Sequence, residues 1–442
     1  MDLARNQRFS AAPDVLGASD APEGVEAVRT AMLERLWELQ ALRTDRVAEV
    51  FATVDRHAFA PGVPLDEVYA ATTAVKTKWD EHGHAISSIS APQIQAFMLE
   101  QADIRPGMRV LEVGSGGVNA AMLAELVGET GSVTTMDIDP EITDRARGLL
   151  DAAGYAQVRV ECGDAEHGLP GPGLFDVILV TVGCWDIPPT WITQLVDGGR
   201  LVLPLRMRGI TRSLALDRDD DRLVSRSAEV CGFVKIQGHG AHQERMLLLH
   251  EDQIALRFDD DTYPAEPHRL DGVLASERAD AWSGVTVGGV EPFDSLPLWL
   301  ATVLPGFCLL TVASDYDQAV DRGPALVDEG GKWFPSASVD STGDSFAYLV
   351  SRRVGQGVFE FGAHAFGPHA RAVAEEMAEQ IRVWGRDYHH GPAPIVAARS
   401  RTASDQDAAV LGGTALDGPP AAEAVIDKRH TRVSISWPNP AP

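Results

Sequence analysis

A small-residue turn and a carboxylate downstream of it are the residues of this chain whose types and spacing could do chemistry. The turn Gly114–Gly116 follows the apolar run 110–113, and Asp137 ends the next apolar run, 133–136. Glycine lets a ligand approach the backbone closely, and a carboxylate at a strand end can accept two hydrogen bonds from a ribose diol. The pattern predicts a nucleoside-binding site.

The turn favours one kind of nucleoside. Asn119 stands where a dinucleotide-binding fingerprint would have its third glycine, and that fingerprint places a pyrophosphate at the start of the following helix. S-adenosylmethionine has no pyrophosphate, so it fits the turn better than a nicotinamide dinucleotide. The helical segment 120–126 between the two apolar runs completes a β-α-β unit.

The elements that must position these residues are buried strands alternating with helices, which predict an α/β fold with a doubly wound, mainly parallel sheet. Ligands of such sheets bind at the carboxyl ends of the strands, where Gly114, Asp137, Asp164 and Gly183 fall. Strands are expected at 110–113, 133–136, 158–161, 177–182 and 200–205, with an antiparallel hairpin from 213–216 and 226–234.

The segments before this sheet are less regular. Apolar residues at helical spacing between Val25 and Phe51 predict two short helices broken near Thr44. The segment 56–90 is punctuated by prolines and by Gly83, so it is expected to be irregular, and Pro92 is expected to open a helix.

Composition limits the class of protein. The chain has 442 residues, 45% of them hydrophobic, and a formal net charge of −26. Such a charge argues against nucleic acid and permits a basic peptide partner, although acidity that serves solubility alone explains it equally well. No apolar run is long enough to cross a membrane, and the four separated cysteines fit neither a disulfide framework nor a zinc pattern, which together predict a cytoplasmic protein.

Several separated motifs resemble the protein-L-isoaspartate O-methyltransferases over residues 25–238. The resemblance rests on Arg56 with Phe59-Ala60-Pro61, Ser88-Ile89-Ser90-Ala91-Pro92, the glycine turn, Gly163-Asp164, Phe175-Asp176-Val177-Ile178 and Gly198-Gly199-Arg200-Leu201. It implies a class I S-adenosylmethionine-dependent methyltransferase fold, a Rossmann-like doubly wound sheet, with S-adenosylmethionine as donor. The acceptor it implies is an aspartyl or isoaspartyl carboxylate of a peptide or protein.

The resemblance also implies roles for single residues. Ser90, with Ser88, lies beside the acceptor carboxylate; Asp137 binds the ribose; and Asp164 with Ala165 faces the adenine. The expected cofactor-binding residues are Ser88, Ile89, Glu112, Gly114, Ser115, Gly116, Asn119, Asp137, Ile138, Gly163, Asp164, Ala165, Val182 and Gly183.

Structural alternatives stand beside these roles. Ser88 and Ser90 could cap the helix before Pro92, and Asp164 could cap its own loop. Glu112 is expected to support the turn by accepting bonds from nearby backbone N–H groups.

The chain is expected to divide into four segments: a flexible leader 1–24, a methyltransferase domain 25–240, a C-terminal α+β domain 244–395 and a low-complexity linker with a terminal strand, 396–442. The α+β domain should contain a long amphipathic helix, 368–384, and is assigned to recognition of the peptide substrate. Arg399–Ala422 forms the linker, and the alternation of 432–437 predicts the strand.

This longer architecture looks like the methyltransferases of ribosomally made, modified peptides, which esterify an aspartate so that it cyclises to aspartimide. Val118, the stretch 182–185 and the segment 76–81 depart from the family pattern around the acceptor pocket. A general isoaspartyl repair enzyme is the alternative, and a non-catalytic binding protein that keeps the nucleoside fold is a second one. The oligomeric state stays open.

The chemistry would need no strong base, because a carboxylate is already ionised at neutral pH and positioning supplies most of the rate. No metal is expected. His239 and His242 have no cysteine or acid at ligand spacing in the sequence.

Overall fold

The computed structural model describes residues 22–171, 173–260, 262–313, 335–401 and 421–440. These residues form two compact units. The first unit comprises 22–206 and 211–241, and the second comprises 207–210 and the residues from His242 onward. Most of the predicted leader and of the predicted linker lies outside the described residues.

The first unit is built around a sheet with the strand order β9-β8-β7-β6-β3-β4-β5. Its elements are α1 (Pro22–Glu38), α2 (Asp45–Thr53), α3 (Leu65–Val68), β1 (Val75–Trp79), β2 (Ala85–Ile89), α4 (Pro92–Ala102), β3 (Arg109–Val113), α5 (Val118–Val127), β4 (Ser132–Asp137), α6 (Pro140–Ala152), β5 (Arg159–Cys162), β6 (Phe175–Val180), α7 (Pro189–Gln194), β7 (Leu195–Met207), β8 (Ile210–Asp219) and β9 (Arg222–Val230).

The order of this sheet fixes where a ligand can bind. Strand β3 pairs in parallel with both β4 and β6, and β5 and β7 extend the sheet in parallel on either side. The chain therefore runs outward from β3 through β4 to β5 and then returns to β6 on the other side of β3. Doubly wound sheets open a crevice at such a reversal, beside the carboxyl ends of the central strands. The predicted class I methyltransferase fold is confirmed.

Local sequence explains these strands and helices. Val110 and Leu111 of β3 and Ile178 and Leu179 of β6 are fully buried, as expected for continuous apolar runs in strands covered on both faces. The helix α2 begins where predicted, because Thr44 accepts a hydrogen bond from the backbone N–H of Val47 as its N-cap.

One expectation about the secondary structure of this unit is wrong. The segment 56–90 was expected to be irregular, yet β1 and β2 pair as an antiparallel hairpin within it. Gly83 has a φ of +79° and lies in the turn between the two strands, where a positive φ favours glycine. The glycine that suggested an irregular segment therefore belongs to a hairpin turn.

The second unit contains a seven-stranded sheet with the order β10-β11-β13-β14-β15-β16-β12. Strands β17, β18 and β19 pair antiparallel with one another, and β19 lies between the other two. The elements are β10 (Arg245–His250), β11 (Ile254–Phe258), β12 (Ala279–Gly288), α8 (Ser295–Val303), β13 (Phe307–Val312), β14 (Ser336–Val339), β15 (Phe346–Gly355), β16 (Val358–Phe366), α9 (Ala370–Asp387), β17 (Ile395–Ser400), β18 (Ala422–Asp427) and β19 (Thr431–Trp437).

Helix α9 covers one face of the seven-stranded sheet. Its buried residues Val373, Met377, Ile381 and Trp384 recur at helical spacing, so they form one apolar stripe that packs on β12, β15 and β16. This mixture of antiparallel sheet and helix is the additional C-terminal α+β region predicted from the sequence. No helix among the described residues is long and apolar enough to cross a membrane.

Candidate active site

The glycine turn after β3 contains glycines that serve different needs. Gly114 has a φ of +102°, and a Cβ there would lie 2.4 Å from Thr181 Oγ1; Gly117 has a φ of +87° and lies against Phe59. Both positions need glycine for the fold itself. Gly116 has no positive φ, and a Cβ there would meet nothing within 4 Å. The space over Gly116 therefore remains open for a ligand.

Ser115 joins this turn to the acid at the end of β4. Its backbone N–H donates to Asp137 Oδ2 over 3.1 Å. Its side-chain hydroxyl is buried and has no hydrogen-bond partner among the described residues. Buried hydroxyls are costly to leave unpaired, so an unpaired one beside an open glycine indicates that a polar ligand completes the site. The residues of the turn fit a nucleoside such as S-adenosylmethionine.

Asp137 is held beside the glycine turn by backbone hydrogen bonds. The backbone N–H of Asp139 donates to its Oδ1 over 3.0 Å, and the backbone N–H of Ile138 also binds the carboxylate, so each carboxylate oxygen accepts from the backbone. Burial raises the pKa of Asp137 above its ordinary value, although these backbone hydrogen bonds oppose the shift. A carboxylate has about four lone-pair sites in all, so the backbone donors do not use every site, and a ribose hydroxyl could bind the rest.

Glu112 and Asn119 lie beneath the turn rather than in the crevice. Glu112 is fully buried; Asn119 donates to its Oε1 over 2.8 Å and Thr135 to its Oε2 over 2.5 Å. The expectation that Glu112 accepts local backbone N–H bonds is therefore wrong, because its partners are two side chains. Burial raises the pKa of Glu112 to about 7. With no exposed surface, Glu112 supports the turn from within, and the predicted cofactor contacts of Glu112 and Asn119 stay proposals.

The hairpin β1–β2 forms the opposite wall of the cleft. Ser87 and Thr77 join the two strands through their hydroxyls, 2.9 Å apart. The cleft is lined by Thr77, Ser87, Ile89, Ser115, Gly116, Ile142, Arg145 and Ala146. The structure thus brings the predicted residues Ile89, Ser115 and Gly116 together. Sequence reasoning missed Thr77, Ser87 and Arg145. The polar residues that alternate along 75–89 could have indicated Thr77 and Ser87.

Ser88 and Ser90 do not cap the helix that follows them. The N-cap of α4 is Ala91, which makes no side-chain hydrogen bond, so the capping alternative for the two serines is wrong. Arg56 instead fixes this segment: its guanidinium is buried and donates to the carbonyls of Ser90, over 2.6 Å, and Val68, over 2.7 Å, and to the Gln95 side chain. Burial lowers the pKa of Arg56 to about 10.

Asp164, after β5, is held by the protein itself. Its Oδ1 accepts from the N–H of Glu166 over 3.0 Å and caps the short turn Ala165–His167. Its Oδ2 accepts from the backbone N–H of His239 over 2.8 Å. The alternative role of loop capping is therefore present, and the contact of Asp164, Gly163 and Ala165 with adenine stays a proposal.

Asp164 also lies close to two histidines. Asp164, His167 and His239 each place one potential ligand atom within 4.8 Å of the others. The expectation that no acid accompanies His239 is wrong, because the acid comes from a distant strand end. The sequence spacing could not indicate this contact.

The remaining predicted cofactor contacts lie at strand ends. Gly183 donates its N–H to Val234 and accepts from Ile236, so its main-chain groups are already engaged. Val182 and Ile138 are partly exposed. Their contacts with a cofactor stay proposals.

The sheet order, the glycine turn and the acid at the end of β4 define a class I methyltransferase. The Protein-L-isoaspartate(D-aspartate) O-methyltransferase family profile matches residues 27–241. A protein-L-isoaspartate O-methyltransferase of Methanopyrus kandleri is 37% identical over 219 residues, which are 49% of this chain and 94% of that protein. One from Hyperthermus butylicus is 34% identical over 50% of this chain and 93% of its own length. The chain belongs to the protein-L-isoaspartate O-methyltransferase family.

Solved structures give weaker likenesses. A protein-L-isoaspartate O-methyltransferase structure covers 84% of this chain and 96% of its own, with 19% identity and a TM-score of 0.45. A Plasmodium falciparum structure in complex with S-adenosyl-L-homocysteine covers 47% of this chain and 98% of its own, with 18% identity and a TM-score of 0.42. Family membership confirms the predicted enzyme class, an S-adenosylmethionine-dependent protein carboxyl O-methyltransferase.

Proposed function

We propose that this enzyme esterifies the side-chain carboxylate of an aspartyl residue in one specific, ribosomally made peptide, and that the ester then closes to aspartimide. The second unit carries this proposal. The family profile ends at residue 241, and the chain continues through a seven-stranded sheet and α9. A large added unit is more surface than an enzyme that scans damaged proteins needs.

Within the cleft, the residues would position an anionic acceptor. S-adenosylmethionine supplies an electrophilic methyl group when bound. Arg145 lines the cleft, and its guanidinium donates to the carbonyl of Phe59 over 3.2 Å. A guanidinium has five N–H donors, so this contact leaves others that can bind a carboxylate. Ser90, fixed through its carbonyl by Arg56, would orient the same carboxylate through its hydroxyl.

Gly114, Ser115, Gly116 and Asp137 would hold the donor, with Ser88, Ile89, Ile138, Asp164 and Val182 around it. Because the acceptor carboxylate is already ionised, these residues need only align it and exclude water. The ester then reacts within the peptide: the next backbone nitrogen attacks the carbonyl carbon, methanol leaves, and a five-membered succinimide forms.

The acidic composition supports a basic peptide as partner, since a net charge of −26 attracts cationic segments. We also propose a cytoplasmic location, which the four unpaired thiols support.

Incubation of the full chain with S-adenosylmethionine and matched peptides tests the proposal. One set carries aspartate and the other isoaspartate, each in a basic precursor sequence and in a scrambled version. We expect a mass gain of one methylene group, followed by loss of methanol, only in the aspartyl precursor sequence.

General isoaspartyl repair is the second candidate function. The relatives named above are protein-L-isoaspartate O-methyltransferases, and this chain spans most of their length. Methylation of isoaspartyl peptides regardless of their sequence would establish repair and overturn the dedicated-peptide proposal.

A further inference from the structure

The β1–β2 hairpin forms one wall of the cleft that Ser115 and Gly116 also line. Thr77 of β1 and Ser87 of β2 line the cleft opposite Ser115 and Gly116. A donor that binds over Gly116 would therefore be covered by this hairpin. Coverings of this kind must open for a ligand to enter or leave.

The residue after Thr77 fastens the hairpin to the opposite side of the cleft. Lys78 Nζ lies 2.6 Å from Asp139 Oδ2 and 2.5 Å from Glu141 Oε2. The hairpin register explains its direction: Lys76 pairs with Ser88 and Lys78 with Ser87, so β1 carries an extra residue at this point. Such a bulge redirects the side chain that follows it.

One of the two carboxylates that Lys78 binds belongs to Asp139, whose backbone contacts Asp137. Asp139 is the N-cap of α6 and accepts from the N–H of Glu141 over 3.0 Å. Its own N–H donates to Asp137 Oδ1 over 3.0 Å, and Asp137 accepts from Ser115 through its other oxygen. A continuous set of hydrogen bonds and ion pairs thus joins the hairpin to the glycine turn.

We propose that Lys78 is a positioning residue whose ion pairs with Asp139 and Glu141, the latch, hold the hairpin closed over the methyl donor and set the rate at which donor and product exchange. This inference rests on the proposed donor site at Gly116 and Asp137. The side chain of Lys78 is 30% exposed, that of Asp139 17% and that of Glu141 78%, so only the pair with Asp139 is partly shielded from solvent, and the latch can still open.

The chain provides a matched control in the same strand. Lys76 carries the same charge two residues away, its side chain is exposed, and it forms no ion pair in the described part of the chain. Comparing K78Q with K76Q therefore separates loss of the latch from loss of one positive charge. K78R restores the charge and should restore much of the latch.

Two measurements test the latch. The first is the dissociation rate of S-adenosylhomocysteine, followed by stopped-flow displacement. K78Q should raise this rate about threefold, as expected for loss of a partly exposed ion pair, while K76Q should leave it unchanged and K78R should return it most of the way. The second is hydrogen exchange of residues 75–89 in the absence of ligand. This exchange should be faster in K78Q than in the unaltered chain, and the other variants should not show the increase. Higher salt should speed dissociation from the unaltered chain more than from K78Q.

Equal dissociation rates and equal hydrogen exchange in K78Q and K76Q would overturn the latch while leaving the donor site intact. Failure of the unaltered chain to bind S-adenosylhomocysteine would overturn the donor site and, with it, the control of ligand exchange by the latch, but not the contact that fastens the hairpin. The ligand-free hydrogen exchange distinguishes the two failures, because it reports the hairpin contact whether or not the ligand binds.

Discussion

Replacing Glu112 by glutamine should make the stability of the first unit less sensitive to pH. Glu112 is fully buried, and burial raises its pKa from the usual 4.5 to about 7. The folded state therefore binds this proton more tightly than the unfolded chain does. The contribution of Glu112 to stability is fully present below pH 4.5 and is lost as the pH rises through 7.

The size of this effect follows from the pKa difference. Ionising Glu112 inside the folded unit costs about 2 to 3 kcal/mol of unfolding free energy between pH 5 and pH 8. Glutamine resembles the protonated acid: its carbonyl can accept from Asn119, and its NH2 can donate to the oxygen of Thr135. E112Q should therefore gain about 2 to 3 kcal/mol over the unaltered chain from pH 5 to pH 8.

Hydrogen exchange of β3 and β4 peptides in increasing urea measures this difference, because it reports unfolding of the first unit alone. E49Q is the matched control, since Glu49 is an exposed glutamate in α2. Its pH dependence should follow that of the unaltered chain. An E112Q profile parallel to the unaltered chain from pH 5 to pH 8 would refute the raised pKa and the burial argument behind it.

Further substitutions test the site. G114A should destabilise the first unit by about 2 kcal/mol, because alanine is strained at a positive φ and would meet a hydroxyl 2.4 Å away. G116A should instead leave the melting temperature unchanged and weaken S-adenosylhomocysteine binding. Reversed effects would contradict the two roles. R56M removes the donor to two buried acceptors and one partly buried acceptor and should cost about 3 kcal/mol or more in urea unfolding; a change near zero would contradict its structural role. S90A should lower kcat while leaving donor affinity unchanged in calorimetry; a loss of donor affinity in S90A would show that Ser90 serves the donor.

The parallel strands and the glycine turn could be predicted because their signals are local. Buried runs such as 110–113 and the small residues after them determine a strand and a turn whatever the rest of the chain does. Asp137 at the end of β4 could be predicted from the same spacing of strand, helix and strand. These residues also carried the family resemblance, which the comparisons confirm.

The contacts that sequence reasoning missed join distant segments. Asp164 meets His239 and Arg56 meets Ser90 only after the chain folds, and no spacing in the sequence encodes either approach. The hydrogen-bond partners of Glu112 could not be predicted either, because both are polar side chains that are buried with it. The β1–β2 hairpin escaped because Gly83 signals a turn without saying what the turn connects.

Calorimetric titration of S-adenosylhomocysteine into the unaltered chain and into D137A tests the central claim most directly, namely that the crevice at the ends of β3 and β4 holds the methyl donor. We expect one site per chain, with a Kd at least about tenfold weaker in D137A, once the circular dichroism of the two unliganded proteins is shown to agree. No binding to the unaltered chain, or the same Kd for both proteins, would contradict the account.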